Sequence, residues 1–208
     1  MKNIIPSLQG LRGFSIILVL FYHFQIPYFK GGYIGVDFFF VLSGVLIAKI
    51  LEKNSFKDFI ISRFLRLAPT LLVAILITIF LGFIFYDSND FLRLGEASLS
   101  TILFVSNFYV ISEEINYFVD SKVNFPLLHT WSLSIEFTLY IFTFFFFKLF
   151  KKKIDLMMII FISISLLSTF IITNYIFNFY SPFTRIWEFF LGCMAYRMSG
   201  GSYFKNKK

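Results

Sequence analysis

Apolar residues occur in long runs along this chain, separated by short polar segments. The longest runs cover about twenty residues, which at about 1.5 Å per helical residue is enough to cross a hydrocarbon core about 30 Å thick. An α-helix satisfies its backbone hydrogen bonds within one such segment. The pattern therefore predicts an all-α integral membrane protein, a polytopic helix bundle of about six to seven hydrophobic segments: residues 11–29, 35–51, 67–86, 97–111, 127–150, 154–173 and 183–198.

Basic residues cluster in the short segments and indicate how the chain is oriented. Lys49, Lys53, Lys57, Arg63 and Arg66 lie around the segment between the second and third runs, and cytoplasmic loops of membrane proteins are enriched in Lys and Arg. This predicts a cytoplasmic loop there, a cytoplasmic N-terminus and an outward-facing loop at the acidic residues 87–96. The first run lacks a small-residue cleavage site, so we expect a retained helix and not a signal peptide.

The run at residues 97–111 is short for a span and leaves two topologies open. If it crossed the membrane, Lys148 and the lysines at 151–153 would lie outside, against the charge rule. If it entered the membrane without crossing, or packed within the bundle, these lysines would lie in the cytoplasm. We favour the second arrangement. The sequence has no internal repeat and no low-complexity linker, so residues 1–208 are expected to form one transmembrane domain.

The composition supports this interpretation. Of 208 residues, 58% are hydrophobic and 15% are charged, unlike a soluble domain. A net charge of +7 would suggest nucleic acid in a soluble chain, but the basic residues here follow the topology pattern, so no nucleic-acid partner is expected. The single cysteine, Cys193, excludes an intrachain disulfide and disfavours a cysteine metal site. No bound metal or resident cofactor is expected.

Ionisable residues inside apolar runs are candidates for function, because a charge at mid-membrane costs about 2.5 to 3.5 kcal/mol on insertion scales. Arg12 and His23 are eleven residues apart, which places them about 20° apart around one helix and about 16.5 Å apart along it. They are expected to face one cavity from opposite ends. Alternatively, Arg12 reaches the inner lipid headgroups, and His23 is a structural histidine instead of a proton-transfer group.

Further polar positions lie in or near the second and third runs. Asp37 stands at the outer entrance of the second run, either as a site residue or as a solvated helix-entry residue. Ser43 and Gly44 lie deeper, where small residues indicate close helix packing. Arg63 and Arg66 share a helix face and are suited either to lipid headgroups or to the phosphates of a cytosolic donor.

Two later segments combine acids with possible partners. His129, Ser132 and Glu136 fall within about 60° on one face of a helix, and a buried acid there needs a partner such as a structural cation. Arg185 and Glu188 are three residues apart on the last helix and can pair with each other. That pair is either purely structural or part of a binding site.

Five motifs occur in a characteristic order. They are RGFSIILVLFYH, GGYIGVDFFFVLSGVLI, SRFLRLAP, LLHTWSLSIEFTLY and SPFTRIWEFFLG. Together, from about Ile5 to Gly192, they closely resemble the acyltransferase-3 family of membrane O-acyltransferases, and the last motif resembles the subgroup that modifies surface polysaccharides such as O-antigen.

The resemblance implies an enzyme in the bacterial inner (plasma) membrane. It would transfer an acyl group, usually acetyl from acetyl-coenzyme A, to a hydroxyl of an extracytoplasmic carbohydrate such as that of lipopolysaccharide. His23 would be a general base or an acyl carrier, Arg12 would face the donor, and Glu136 would orient or charge-balance the site. The implied residues are His23, Arg12 and Glu136 for catalysis, Arg63 and Arg66 for the coenzyme, and Asp37, Trp131, Arg185 and Glu188 for substrate.

Length is the departure from the family pattern. Members of the family have about ten spans, whereas this chain has about six or seven and corresponds to the N-terminal portion of the usual domain. Two other functions stay open on the sequence: a transporter or flippase that uses the same charges to bind its substrate, and a catalytically inactive membrane protein whose charges all pair internally.

Overall fold

The computed structural model describes residues 6–51, 56–118 and 125–200, and these residues form helices and turns with no β-strand among them. Lys53, part of the predicted cytoplasmic loop, lies outside the described residues. A 3-10 turn covers Gly32–Ile34. The α-helices are α1 (Pro6–His23), α2 (Gly35–Leu51), α3 (Phe56–Phe85), α4 (Ser88–Ile102), α5 (Ser106–Ser112), α6 (Thr130–Leu149), α7 (Ile154–Ile171), α8 (Tyr175–Tyr180) and α9 (Pro182–Met198).

Several of these helices are suited to a bilayer. Four described segments are long and apolar enough to span it: Gly32–Leu51, Lys57–Phe85, Thr130–Leu149 and Ile154–Ile171. The apolar part of α1, Leu8–His23, is shorter. Along α3, large side chains such as Leu76, Phe80 and Phe83 are exposed, as expected for a lipid-facing surface. The prediction of an all-α polytopic membrane protein is confirmed.

The boundaries differ from the sequence prediction at two places. Helix α3 begins at Phe56, so most of the predicted loop is helical, and Arg63 and Arg66 lie on a helix as their predicted common face requires. The predicted outer loop at residues 87–96 is also mostly helical, because the Asp87 side chain accepts hydrogen bonds from the backbone N–H groups of Asn89 and Asp90 and caps α4. A capped terminus outweighs the polar character that suggested a loop.

The weak apolar run at 97–111 is divided between α4 and α5. The break falls at Phe104, whose φ of 56° is unusual for a bulky residue. Buried hydroxyls hold the two helices to α6: Thr101 Oγ1 lies 2.9 Å from Thr130 Oγ1, and Ser106 Oγ lies 2.8 Å from Ser134 Oγ. The run is therefore an interrupted element whose hydroxyls at Thr101 and Ser106 form hydrogen bonds inside the protein.

By their contacts, the residues fall into two compact units. Among the described residues, the first unit comprises residues 6–51, 143–168 and 185–200, and the second comprises residues 56–118, 125–142 and 169–184. The first thus holds α1 and α2 with most of α7 and α9, and the second holds α3, α4, α5 and α8 with most of α6. The expectation of a single domain stays a prediction.

Contacts within the first unit fix the directions of its helices. Helix α2 runs parallel to α9, because Asp37 pairs with Arg185 and, further along both helices, Gly44 meets Cys193. Helix α7 runs antiparallel to α9, because Asp155 near the beginning of α7 pairs with Arg197 near the end of α9. It follows that α7 begins on the side of the membrane where α2 ends.

The direction of α7 relative to α2 tests the two topologies that the sequence left open for the apolar run at residues 97–111. Between the end of α2 and the beginning of α7, α3 and α6 are each long and apolar enough to cross a membrane, and two such crossings return the chain to the same side. A full crossing by residues 88–112 would add a third passage and place α7 on the opposite side. The geometry of the first unit therefore favours an α4 and α5 segment that does not cross.

Cysteine labelling checks this topology. In a Cys193→Ser background, Asn89→Cys and Ser112→Cys are expected to react with a membrane-impermeant maleimide from the same side, because both ends of the α4 and α5 segment lie there. Lys152→Cys, between α6 and α7, should react from the opposite side. All three positions are exposed. Labelling of positions 89 and 112 from opposite sides would show that the segment spans the membrane.

Candidate functional site

Arg12 is directed toward α2. Its Nη2 donates a hydrogen bond to Ser43 Oγ at 2.9 Å, and its guanidinium carbon lies 4.6 Å from the centroid of the Phe39 ring. A guanidinium over an aromatic face is attracted by the ring quadrupole. The side chain is thus held by a hydroxyl and a ring one helix away, which favours the site interpretation over an arginine that extends to lipid headgroups.

His23 is the last residue of α1, and its ring is exposed. Its Nδ1 lies 2.8 Å from the backbone oxygen of Val19. A carbonyl oxygen only accepts hydrogen bonds, so Nδ1 carries a hydrogen and donates it. In the neutral ring the basic lone pair is then on Nε2, the tautomer that a histidine general base needs when its Nδ1 is used for orientation.

Asp37, Arg185 and Glu188 form a charged cluster between α2 and α9. Arg185 Nη1 donates to Glu188 Oε1 at 2.7 Å and to Asp37 Oδ1 at 3.0 Å. The side chains are 13% exposed in Arg185, 32% in Asp37 and 1% in Glu188. The predicted pairing of Arg185 with Glu188 is confirmed, whereas the sequence did not link Arg185 to Asp37, which lies 148 positions away.

Glycines allow the two helices to approach closely beside this cluster. A Cβ at Gly44 would collide with the Phe189 carbonyl oxygen, and a Cβ at Gly192 would collide with the Val41 carbonyl oxygen. Each glycine stands seven residues after a member of the Asp37–Arg185 pair, about two helical turns along its helix. The glycine contact therefore sets the register that brings Asp37 and Arg185 together.

Glu136 lies in the second unit and is 4% exposed. The Tyr140 hydroxyl, one turn along α6, donates to Glu136 Oε1 at 2.5 Å. The Arg63 guanidinium carbon in turn lies 5.7 Å from the Tyr140 ring centroid and 5.5 Å from that of Phe59. The sequence predicted that Glu136 has a partner such as a structural cation. The structure shows that the Tyr140 hydroxyl is a partner, and that the Arg63 guanidinium lies near the Tyr140 ring.

The remaining candidates have different surroundings. Arg66 is exposed, while Arg63 is partly buried. His129 precedes α6 and is exposed, so it does not share the buried face of Glu136. Trp131 is 1% exposed and packs against aromatic rings, those of Tyr117, Phe179 and Tyr180. Its buried ring can support the residues that line a site. Direct contact of Trp131 with substrate stays a prediction.

The candidates thus form separate groups within their own units. The first unit brings Arg12 onto α2, which also carries Asp37. Asp37 contacts Arg185, and Arg185 contacts Glu188. In the second unit, Arg63 and Glu136 both contact Tyr140. Sequence reasoning missed Tyr140, although its spacing of four residues from Glu136 is a signal for contact on one helix face.

A protein family described as an acyltransferase domain matches residues 5–208 of the chain. The chain belongs to this acyltransferase family. The recognition made from the five motifs is confirmed, and the matched range contains every candidate residue described above.

Two relatives illustrate the similarity. The chain is 38% identical to the peptidoglycan O-acetyltransferase OatA of Listeria monocytogenes over 142 residues, which are 65% of this chain and 23% of that protein. It is 30% identical to the O-acetyltransferase OatA of Staphylococcus aureus over 207 residues, 91% of this chain and 34% of that protein. The acyltransferase chain therefore spans about a quarter to a third of these relatives. No solved structure matches it.

The glycine contact predicts a specific loss of stability. Gly44→Ala and Gly192→Ala are each expected to destabilise the protein by about 1 to 3 kcal/mol, because the new methyl group meets backbone that cannot rotate away. The midpoint of thermal aggregation in detergent measures this. Gly95→Ala is the control, since its methyl group meets no atom within 4 Å. Equal midpoints for all three variants would contradict the close crossing.

The Tyr140 hydroxyl predicts a second effect. Tyr140→Phe keeps the ring beside Arg63 but removes the donor to Glu136, and loss of a buried hydrogen bond costs about 1 to 3 kcal/mol. We expect a lower thermal midpoint than for Tyr28→Phe, which deletes the same atom from an exposed ring. If both variants melt like the unmodified protein, the Glu136 contact does not contribute to stability.

Proposed function

We propose that this chain carries the membrane part of an O-acyltransferase that moves an acetyl group from an acyl-coenzyme A donor to a hydroxyl of a cell-surface carbohydrate. Membership of the acyltransferase family and the names of both O-acetyltransferase relatives support this class of reaction. The observation that carries the proposal is the exposed His23 ring, whose Nδ1 is engaged by Val19 and whose basic nitrogen is Nε2.

His23 acts on the acceptor in this scheme. Its Nε2 takes the proton of the acceptor hydroxyl while that oxygen attacks the carbonyl carbon of the acyl thioester. The carbon–sulfur bond breaks, an ester forms, and coenzyme A leaves as a thiolate that takes up the proton. Arg12, held by Ser43 and Phe39 eleven residues before His23 on the same helix, supplies a fixed positive charge that faces the donor.

Arg63 and Arg66 hold the donor. Guanidinium groups bind phosphates through parallel charged hydrogen bonds, and coenzyme A carries several phosphate groups. Both arginines lie near the beginning of α3, and the basic residues around it support a cytoplasmic position for this end. Glu136 accepts a hydrogen bond from Tyr140, whose ring lies near Arg63, and balances charge in this part of the protein. The N-terminus is cytoplasmic in this topology, and the membrane is the bacterial plasma membrane.

The acceptor is an extracytoplasmic glycan. One relative is named as a peptidoglycan O-acetyltransferase, which makes peptidoglycan the first acceptor to examine. The O-antigen and lipopolysaccharide acceptors expected from the SPFTRIWEFFLG motif stay predictions, since neither relative's name mentions them.

Mutation of His23 tests the proposal. His23→Ala should reduce the ester-linked acetyl content of surface glycans at least about 100-fold at matched membrane levels of the protein, since a general base contributes about 10² to 10⁴ to rate. The measurement is acetate released by mild alkali from glycans of the native host. Phe24→Ala, which changes the exposed neighbouring residue, is the control. Unchanged acetylation in His23→Ala would exclude the assigned role.

A further inference from the structure

The cluster of Asp37, Arg185 and Glu188 has the properties of a subsite for an uncharged polyhydroxyl ligand. We propose that it binds a hydroxyl group of the carbohydrate acceptor, and that it does not bind the donor. The inference rests on the proposed function and deepens it, because it assigns these substrate-binding residues to one of the two substrates and names its chemical class.

A buried oxygen without a donor is the first argument. Glu188 Oε1 accepts from Arg185, but Glu188 Oε2 is buried and receives no hydrogen bond from the part of the chain that the structure describes. Leaving a buried polar atom unsatisfied costs about 1 to 3 kcal/mol, and more for a charged group. Such an atom indicates a position where a ligand donates a hydrogen bond, and a sugar hydroxyl is a donor of that kind.

The charges of the cluster select the class of ligand. Two carboxyl groups share the single guanidinium group of Arg185, so the three side chains together carry no net positive charge. A phosphate group would meet the Asp37 carboxylate beside the arginine and be repelled. An uncharged sugar instead donates its hydroxyl hydrogens to carboxyl oxygens and meets no such repulsion.

The exposure of Asp37 and the position of the cluster along α2 and α9 both agree with binding of the acceptor. Asp37 is the most exposed member of the cluster at 32%, so a ligand approaches from its side. Asp37 and Arg185 both stand near the beginnings of parallel helices, α2 and α9, at the end predicted to face outward. The extracytoplasmic glycan is on that side, whereas coenzyme A is cytosolic.

The cluster is also held rigidly before any ligand arrives. The glycine contact fixes α2 against α9, and at the other end of α9 Arg197 binds both carboxylate oxygens of Asp155 at 2.6 and 2.7 Å. Preorganised polar groups bind a ligand without a further loss of their own conformational entropy. The same packing explains why Arg185 can keep two carboxyl groups on one nitrogen.

Equilibrium binding to the purified full chain in detergent tests the subsite. The probes are an uncharged N-acetylglucosamine tetrasaccharide and coenzyme A. We expect Asp37→Asn and Glu188→Gln each to weaken tetrasaccharide binding about tenfold or more and to change coenzyme A binding less than twofold. Asp155→Asn is the matched control, because it alters an arginine–aspartate pair that joins α7 to the other end of α9, away from the cluster.

Each result has a distinct meaning. Tetrasaccharide binding that is absent in the unmodified protein, or equal in all variants, overturns the subsite, as does a parallel loss of coenzyme A binding. Lower thermal stability in Asp37→Asn and Glu188→Gln with unchanged tetrasaccharide affinity assigns the cluster a purely structural role. If tetrasaccharide binding behaves as expected but membranes containing the unmodified protein transfer no acetyl group, the proposed function fails while the carbohydrate subsite stands.

Discussion

The close crossing of α2 and α9 is the constraint on which the first unit depends. In lipid, helices gain little from apolar burial against one another, so small residues that let backbones touch, together with interhelical hydrogen bonds, drive association. Gly44 and Gly192 provide that contact, and the Cys193 thiol donates to the Gly44 carbonyl at 3.3 Å. The contact fixes the register of both helices, and the Asp37–Arg185 pair follows from that register two turns away.

Four buried hydroxyl groups in the second unit form hydrogen bonds with one another. The hydroxyls of Thr101, Thr130, Ser106 and Ser134 form a buried chain across the interruption between α4 and α5. Irregular backbone at membrane depth is tolerated where it is buried in protein, and these hydroxyls supply that protein environment. The interruption is therefore a stable part of the fold, which agrees with a segment that enters the membrane and does not cross it.

The sequence predicted what depends on local pattern. The predicted boundaries of α2, α7 and α9 were close to those in the structure, because apolar runs and their flanking polar residues define them. The pairing of Arg185 with Glu188 could be predicted from their spacing on one helix. Contacts between distant segments were not accessible. Asp37 with Arg185 depends on how α2 and α9 pack, and the α4 cap at Asp87 depends on backbone geometry that composition does not reveal.

The distribution of charge distinguishes an enzyme from a transporter that binds one substrate. A transporter presents one substrate site alternately to both sides of the membrane, so the same side chains bind the same substrate on each side. Here Arg66 is an exposed cation near the beginning of α3, which the charge pattern predicts to be cytoplasmic, whereas Arg185 has two carboxyl neighbours near the beginning of α9, which is predicted to face outward. The first arrangement suits a phosphate-bearing donor and the second suits an uncharged hydroxyl. Two substrates of different charge are what a group-transfer reaction across this topology requires.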